Sequence, residues 1–410
     1  MSGEYRKNHY VPVWYQKRFI PPDAKHQELL YLDLRPGTFV DERGVTHDRK
    51  AVRRLGPKHC FYERDLYTIS LGAIESTEIE RLFFGEIDSR GRDAVEHFGD
   101  FEHCKAGQHE AFQDLIPYMS TQKLRTPKGL LWLRDRVRTS DRNMVLQFMT
   151  EYRQLFGALW TESVWLIADA SQSETKFLVS DHPVTVYNRR CGPRSQWCRG
   201  HNDPDIWLNA THTIFPLSFE KVLLLTNLSW VRNPYHDPVK SRPNPRLFRN
   251  AMFYLLGIQT DRHLGEQEVR EINFIIKSRA LRYVAAGKEG WLHPEEFVSK
   301  SNWAQFGHGY LLMPDPRSVS FSSEIIMGFK DGSATAYDAY GRRPWERDYK
   351  QASADSPDEF YTSEKFKGEF ARLFGPYRRG RSFEMGHLCP EKDTDYLHNY
   401  HVNFGRRKRR

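Results

Sequence analysis

The sequence predicts an α+β fold: a helical layer packed on a mixed, mainly antiparallel sheet, with a smaller C-terminal extension. Three observations carry this. Between residues 74 and 160, apolar residues recur at three- and four-residue spacing, the period of amphipathic helices. On either side, apolar runs are strand-sized and bounded by turn residues. With 39% hydrophobic and 14% aromatic residues in 410, the chain can bury a sizeable core, which excludes global disorder.

The elements follow in order. Asn8 to Phe19 carries four aromatics, Tyr10, Trp14, Tyr15 and Phe19, so a chain start that would ordinarily fray is expected to pack. Residues 29–34 and 60–69 read as strands around a basic loop. Helical patterns run over 74–97, 108–123 (closed by Thr126-Pro127), 128–138 and 141–160, the last with Ser140-Asp141 as its N-cap. Residues 163–169 and 175–180 read as two strands joined by a hairpin-length polar loop. An exposed loop at 189–205, strands at 206–215 and 220–226, and a long helix at 265–286 complete a core domain over 1–305. In the extension, 306–410, short β runs at Gly309–Met313 and Val319–Phe329 precede the turn Asp331-Gly332-Ser333 and a polar helix near 357–374.

Composition narrows the class. No apolar run follows the basic residues of the start, which argues against a secretory signal, and no run approaches the ~20 residues of a membrane span. A soluble, cytoplasmic protein without a membrane partner is the expectation. Five cysteines without CxxC spacing fit a reduced compartment. Six residues separate Cys191 from Cys198, an unusual zinc-ligand spacing. Net charge is +8, but Arg406, Arg407, Lys408, Arg409 and Arg410 form a terminal run, without which 56 basic residues face 53 acidic ones. That tail could hold phosphate backbones or simply solubilise the end. Tyr377-Arg378-Arg379-Gly380-Arg381 mixes aromatic and cationic groups in the manner of single-strand-binding segments, and equally in that of a solvated tail.

Polar residues on apolar faces mark where chemistry could sit, because an unpaired buried polar group costs about 1–3 kcal/mol. In 74–97 the stripe Ile79, Leu82, Phe83, Ile87, Ala94 takes in Glu86 and Arg90, with Glu80 on its flank and Asp88 pointing away. Glu86 and Arg90 are also spaced for an ion pair. In the helix from 265, Asn273 lies in the stripe, either catalytic or tying down a neighbouring loop. Asp181 ends a buried strand, a position suited to a binding or catalytic carboxylate and also to a turn before Pro183. Arg125 could clamp an anion bidentately or cap helix carbonyls. The pairs His398/His401 and His387/Cys389 could ligate metal if brought together.

The opening His9-Tyr10-Val11-Pro12 and its aromatic-basic continuation resemble the bacterial domain-of-unknown-function family numbered 4238, whose members begin "HHYVPxFYLRxF". The resemblance covers roughly residues 5–290. Gln122-Lys123-Leu124-Arg125-Thr126-Pro127 is similar to that family's "QxxRxP", Phe215-Pro216-Leu217-Ser218 to a "PLS" element, and Ser180-Asp181-His182-Pro183-Val184 to "SDNPV", with His182 where the family has Asn.

The family-like elements offer His9, Glu80 or Glu86, Gln122, Arg125, Asp181 and Asn273, the inventory of a hydrolytic or phosphoryl-transfer site. The expectation is a metal-dependent phosphodiester hydrolase, a nuclease, acting on nucleic acid in defence against mobile elements. His9, Glu86 and Asp181 would hold Mg or Mn, Arg125 would clamp phosphate, and Gln122 and Asn273 would orient them. Absent are a Gly-x-Gly-x-x-Gly after a strand, a P-loop, a Gly-x-Ser-x-Gly elbow and HExxH. The alternative is a non-catalytic nucleic-acid- or partner-binding protein in which the same residues specify the fold.

Overall fold

The computed structural model describes residues 7–67, 69–71, 74–76, 84–198, 200–243, 253–383 and 390–404. Two sheets organise the family-like part. One has four antiparallel strands in the order Val179–Ser180, Tyr283–Ala286, Leu29–Asp33, Val52–Leu55. The other has five, Thr185–Tyr187, His212–Pro216, Lys221–Asn227, Ser163–Asp169 and Gln259–His263. Only its last pair is parallel. The fold is α+β.

The helices Gly85–Gly99, Gln108–Leu124, Pro127–Val137 and Arg142–Thr161 form the helical layer. They meet the five-stranded sheet through aromatic rings: Phe98 and Phe112 on Trp165, and Tyr118 on Phe215. Trp160 donates its indole N–H to Thr213 at 3.0 Å. Gly91 allows the first of these helices to lie against the second, since a Cβ there would overlap the Tyr118 ring. Asp141 caps the last helix, accepting from Asn143 N and Met144 N, and Thr126 caps Pro127–Val137 by accepting from Gly129 N. The chain start is packed as expected: Lys7–His9 pairs with Tyr62–Arg64, and Tyr10, Val11, Tyr15 and Phe19 are buried. Among the described residues, no helix is long and apolar enough to cross a membrane.

Several elements depart from the sequence expectation. The first helix begins at Gly85 rather than 74, and 74–76 is instead a strand paired with 69–71. Ile79, Leu82 and Phe83 of the stripe lie outside the described residues, and within the helix Glu86 is exposed rather than on an apolar face. Residues 175–180 do not form a hairpin with Ser163–Asp169. Val179–Ser180 instead pairs in the other sheet, with Val284 and Ala285. The helix expected over 265–286 stops at Arg279, and Tyr283–Ala286 is a strand.

In the extension, Gly309–Met313 is not a strand, while Ile325–Gly328 and Ala334–Tyr337 make a hairpin across the Asp331-Gly332 turn. The polar helix is longer than read, Arg347–Phe374. It seats Phe366 and Phe370 with Met313 on Trp230 and Val231, joining the extension to the family-like part.

Candidate functional site

Each nominated residue has a definite place. His9 is partly exposed, its Nε2 3.2 Å from the Lys58 carbonyl, and burial lowers its pKa. Glu86 does not enter an apolar face: it is 66% exposed and pairs with Arg90 at 2.8 Å, one turn on. Asp88, expected to point away, is the residue that turns inward, to Arg125 Nη1 at 2.8 Å. Arg125 is 1% exposed. Its Nε donates to Gln122 Oε1 at 2.9 Å, while Gln122 Nε2 donates to the Tyr10 carbonyl at 2.8 Å. The rings of Phe84 and Tyr118 flank the guanidinium. A guanidinium so engaged ties the chain start to the helical layer. Asn273 is buried and donates to Lys176 O at 2.8 Å while accepting from Leu178 N at 3.2 Å, so it ties down the loop before Val179. Glu80, Arg406, Arg407, Lys408, Arg409, Arg410, His387 and Cys389 lie outside the described residues.

Asp181 is 2% exposed, and its carboxylate accepts from three consecutive backbone N–H groups: Leu281 at 2.9 Å, Arg282 at 2.6 Å and Tyr283 at 2.8 Å. This is why the helix ends at Arg279: the next N–H groups are captured by a side chain 100 residues away, and the chain turns into a strand. Burial raises the Asp181 pKa, and those three donors oppose the rise.

The two motifs around Arg125 and Asp181 do meet, but through the residues between and beside the nominated ones. Lys123 Nζ donates to His182 Nε2 at 2.7 Å, Asp203 Oδ2 at 2.7 Å and Val184 O at 3.1 Å. Lys128 Nζ donates to Asp203 Oδ1 at 2.6 Å, Arg279 O at 2.5 Å and Asn202 O at 3.3 Å. His182 Nδ1 lies 2.7 Å from the Thr126 hydroxyl. Each ammonium thus spends its three N–H bonds on three acceptors. Burial would raise the Asp203 carboxyl, yet the two lysines hold it well below the usual range. Burial, with Asp203 opposing, brings Lys128 down to about 8, and burial with Lys123 brings His182 down to about 3. No side chain of Lys123, Lys128, His182 or Asp203 is more than 6% exposed. The cluster is closed to solvent.

Beside it, Arg279 donates to Cys198 Sγ at 3.1 Å and to the Cys191 carbonyl. Both thiols are free and buried. Among the described residues, no three His, Cys, Asp or Glu side chains are placed to hold a metal ion.

A space for a ligand exists elsewhere. Where Thr161–Trp165 and Leu228–Arg232 meet residues 318–325, a cavity of about 370 Å³ opens. Trp165, Phe253, Tyr254 and Ile325 give it an apolar wall, and Glu162, Arg232 and Ser320 a polar one. Burial pushes the Glu162 carboxyl up to about 8, so it is mostly protonated at neutral pH. Arg232 is 3% exposed; its Nη1 reaches Glu359 at 3.3 Å, and its Nε–H has no partner.

No curated protein and no solved structure matches the chain. Residues 7–290 match the family described as Protein of unknown function (DUF4238), and by that match over more than half its length the chain belongs to this family.

Proposed function

We propose that the chain is a binding protein: its buried polar residues specify the fold, and it takes a small amphipathic molecule into the cavity beside Arg232. The observation that carries the reading is a 370 Å³ space whose apolar wall (Trp165, Phe253, Tyr254, Ile325) stands beside a few polar residues, Glu162, Arg232 and Ser320. Ligand sites typically combine an apolar wall with a few polar groups that fix orientation, in volumes of about 300–1,000 Å³. A ligand with an aromatic or aliphatic body and a hydrogen-bond acceptor would satisfy both.

The phosphodiester-hydrolase reading gains no support from the same geometry. A shared Mg or Mn ion would need His9, Glu86 and Asp181 together, and these residues do not fit one. His9 is bonded to a Lys58 carbonyl, Glu86 to Arg90, and Asp181 to three backbone amides. Of the groups read for a nucleic-acid partner, Arg125 is buried and engaged and Arg406–Arg410 lie outside the described residues.

The test is a fluorescence titration with 8-anilinonaphthalene-1-sulfonate, which pairs an aromatic body with an anionic group. The native chain is expected to bind one equivalent. Ser320→Trp, filling the cavity from an exposed position, is expected to weaken binding at least about tenfold. Equal binding by parent and variant would overturn the assignment.

A further inference from the structure

The turn Pro316–Ser318 and residues 378–379 gather four guanidinium groups, those of Arg262, Arg317, Arg378 and Arg379, around two carboxylates. Asp315 is fully buried and saturated: Arg317 donates to it from Nε (2.8 Å), Nη2 (2.6 Å) and its backbone N (2.9 Å), and Arg379 N adds a fourth bond at 3.0 Å. Glu268 pairs with Arg262 at 3.1 Å and Arg379 at 2.7 Å. That leaves Arg378. Its side chain is 2% exposed, the Asp315 oxygen lies 3.6 Å from Nη1, beyond hydrogen-bond reach, and all three of its nitrogens lack a partner.

Arg378 keeps only a long ion pair with an Asp315 already saturated by Arg317, and buried N–H groups without hydrogen bonds are costly. Among the described residues these four cations face two anions, an excess of at least two positive charges, and Arg381 acts on Arg378 in the same sense. Nearby His398 and His401 are pulled down by burial, and so add no further positive charge at neutral pH. Asp395 is exposed and acts on His398, while Glu364 is taken by Lys367 at 2.8 Å. Neither supplies Arg378 with an acceptor. Tyr377, one residue away, is 81% exposed, so the unsatisfied group lies next to the surface.

We propose that Arg378 and the Arg317/Arg379 pair form a binding site for a phosphate dianion, free or as a monoester. Two negative charges match the excess, and the planar fork of Arg378 suits two phosphate oxygens. The site adjoins the cavity beside Arg232, whose wall includes Ser318 and Ser382, but uses none of that cavity's charged groups. The segment Tyr377–Arg381, which the sequence reads as a strand-binding or solvated stretch, is thereby a built interior site.

The full chain is titrated with inorganic phosphate against chloride at constant ionic strength. Both the thermal midpoint and the heat of binding are read. Saturable one-site binding and a rise of a few degrees are expected in the parent, with neither in Arg378→Met. A phosphate effect no larger than that of chloride, or one equal in Arg378→Met, would overturn the proposal. If Arg378→Met does not fold, calorimetry on the parent decides alone: no saturable phosphate heat overturns it. A nucleoside 5′-monophosphate arm assigns the source, tighter binding meaning an ester and equal binding meaning free phosphate.

Discussion

Lys123 Nζ stands 2.7 Å from His182 Nε2, and that contact fixes the state of the imidazole. An ammonium can only donate, so Nε2 must carry a lone pair, and the proton of the neutral ring sits on Nδ1, facing Thr126. One donor and one acceptor are also what an asparagine amide offers. An asparagine at position 182 would therefore preserve the hydrogen-bonding role. His182→Asn is expected to change stability by less than about 1 kcal/mol. His182→Leu, which takes away one of the three acceptors of buried Lys123, should cost about 1–3 kcal/mol in urea unfolding.

The same ring predicts a pH dependence. In the folded state His182 stays neutral down to about 3, whereas unfolded it takes a proton near 6.5. The unfolded chain thus binds more protons between these values, and stability falls as pH drops from 6.5 toward 3. His182→Asn should lower the acid-side slope by about one proton, or about 1.4 kcal/mol per pH unit. Lys128, brought down to about 8, acts at the other end. Its folded form loses its proton first, so stability rises as pH climbs from about 8 toward the ordinary lysine range. Lys128→Met should remove that rise, as read from denaturation midpoints over pH 8 to 10.

Arg125 and Asp88 form a pair whose partners differ in exposure, 1% against 27%. Removing the outer member leaves a buried guanidinium held by Gln122 and two rings alone. Asp88→Ala is expected to cost about 3 kcal/mol. In the double variant with Arg125→Met, part of that loss should return, because no uncompensated charge remains. A double-mutant cycle measures the coupling, and strict additivity would contradict it.

Local signals made much of the frame legible. Ser163–Asp169 reads as a strand from its apolar run, and Asp141 as an N-cap from its place before a periodic segment. What escaped was set by distant partners. The end of the helix at Arg279 depends on Asp181, and nothing in the local pattern of 265–286 reveals it. Asp203, in a loop rich in Arg, Gly and Pro, looks solvated but anchors two buried lysines. One signal was within reach: Lys123 follows Leu115 and Met119 at four-residue steps, on a face buried throughout. Applying the face test to that helix would have flagged Lys123 before Gln122. At Glu86 the face reading fails: the carboxylate is exposed and pairs with Arg90, while Asp88 turns inward to Arg125.

The role of Asp181 separates a structural lattice from a catalytic centre most directly. Equilibrium unfolding of Asp181→Ala should show a loss of about 2–4 kcal/mol, since three backbone N–H groups lose their acceptor where the Glu266–Arg279 helix gives way to the Tyr283–Ala286 strand. An Asp181→Ala chain as stable as its parent would contradict the account and return that carboxylate to the list of reactive groups.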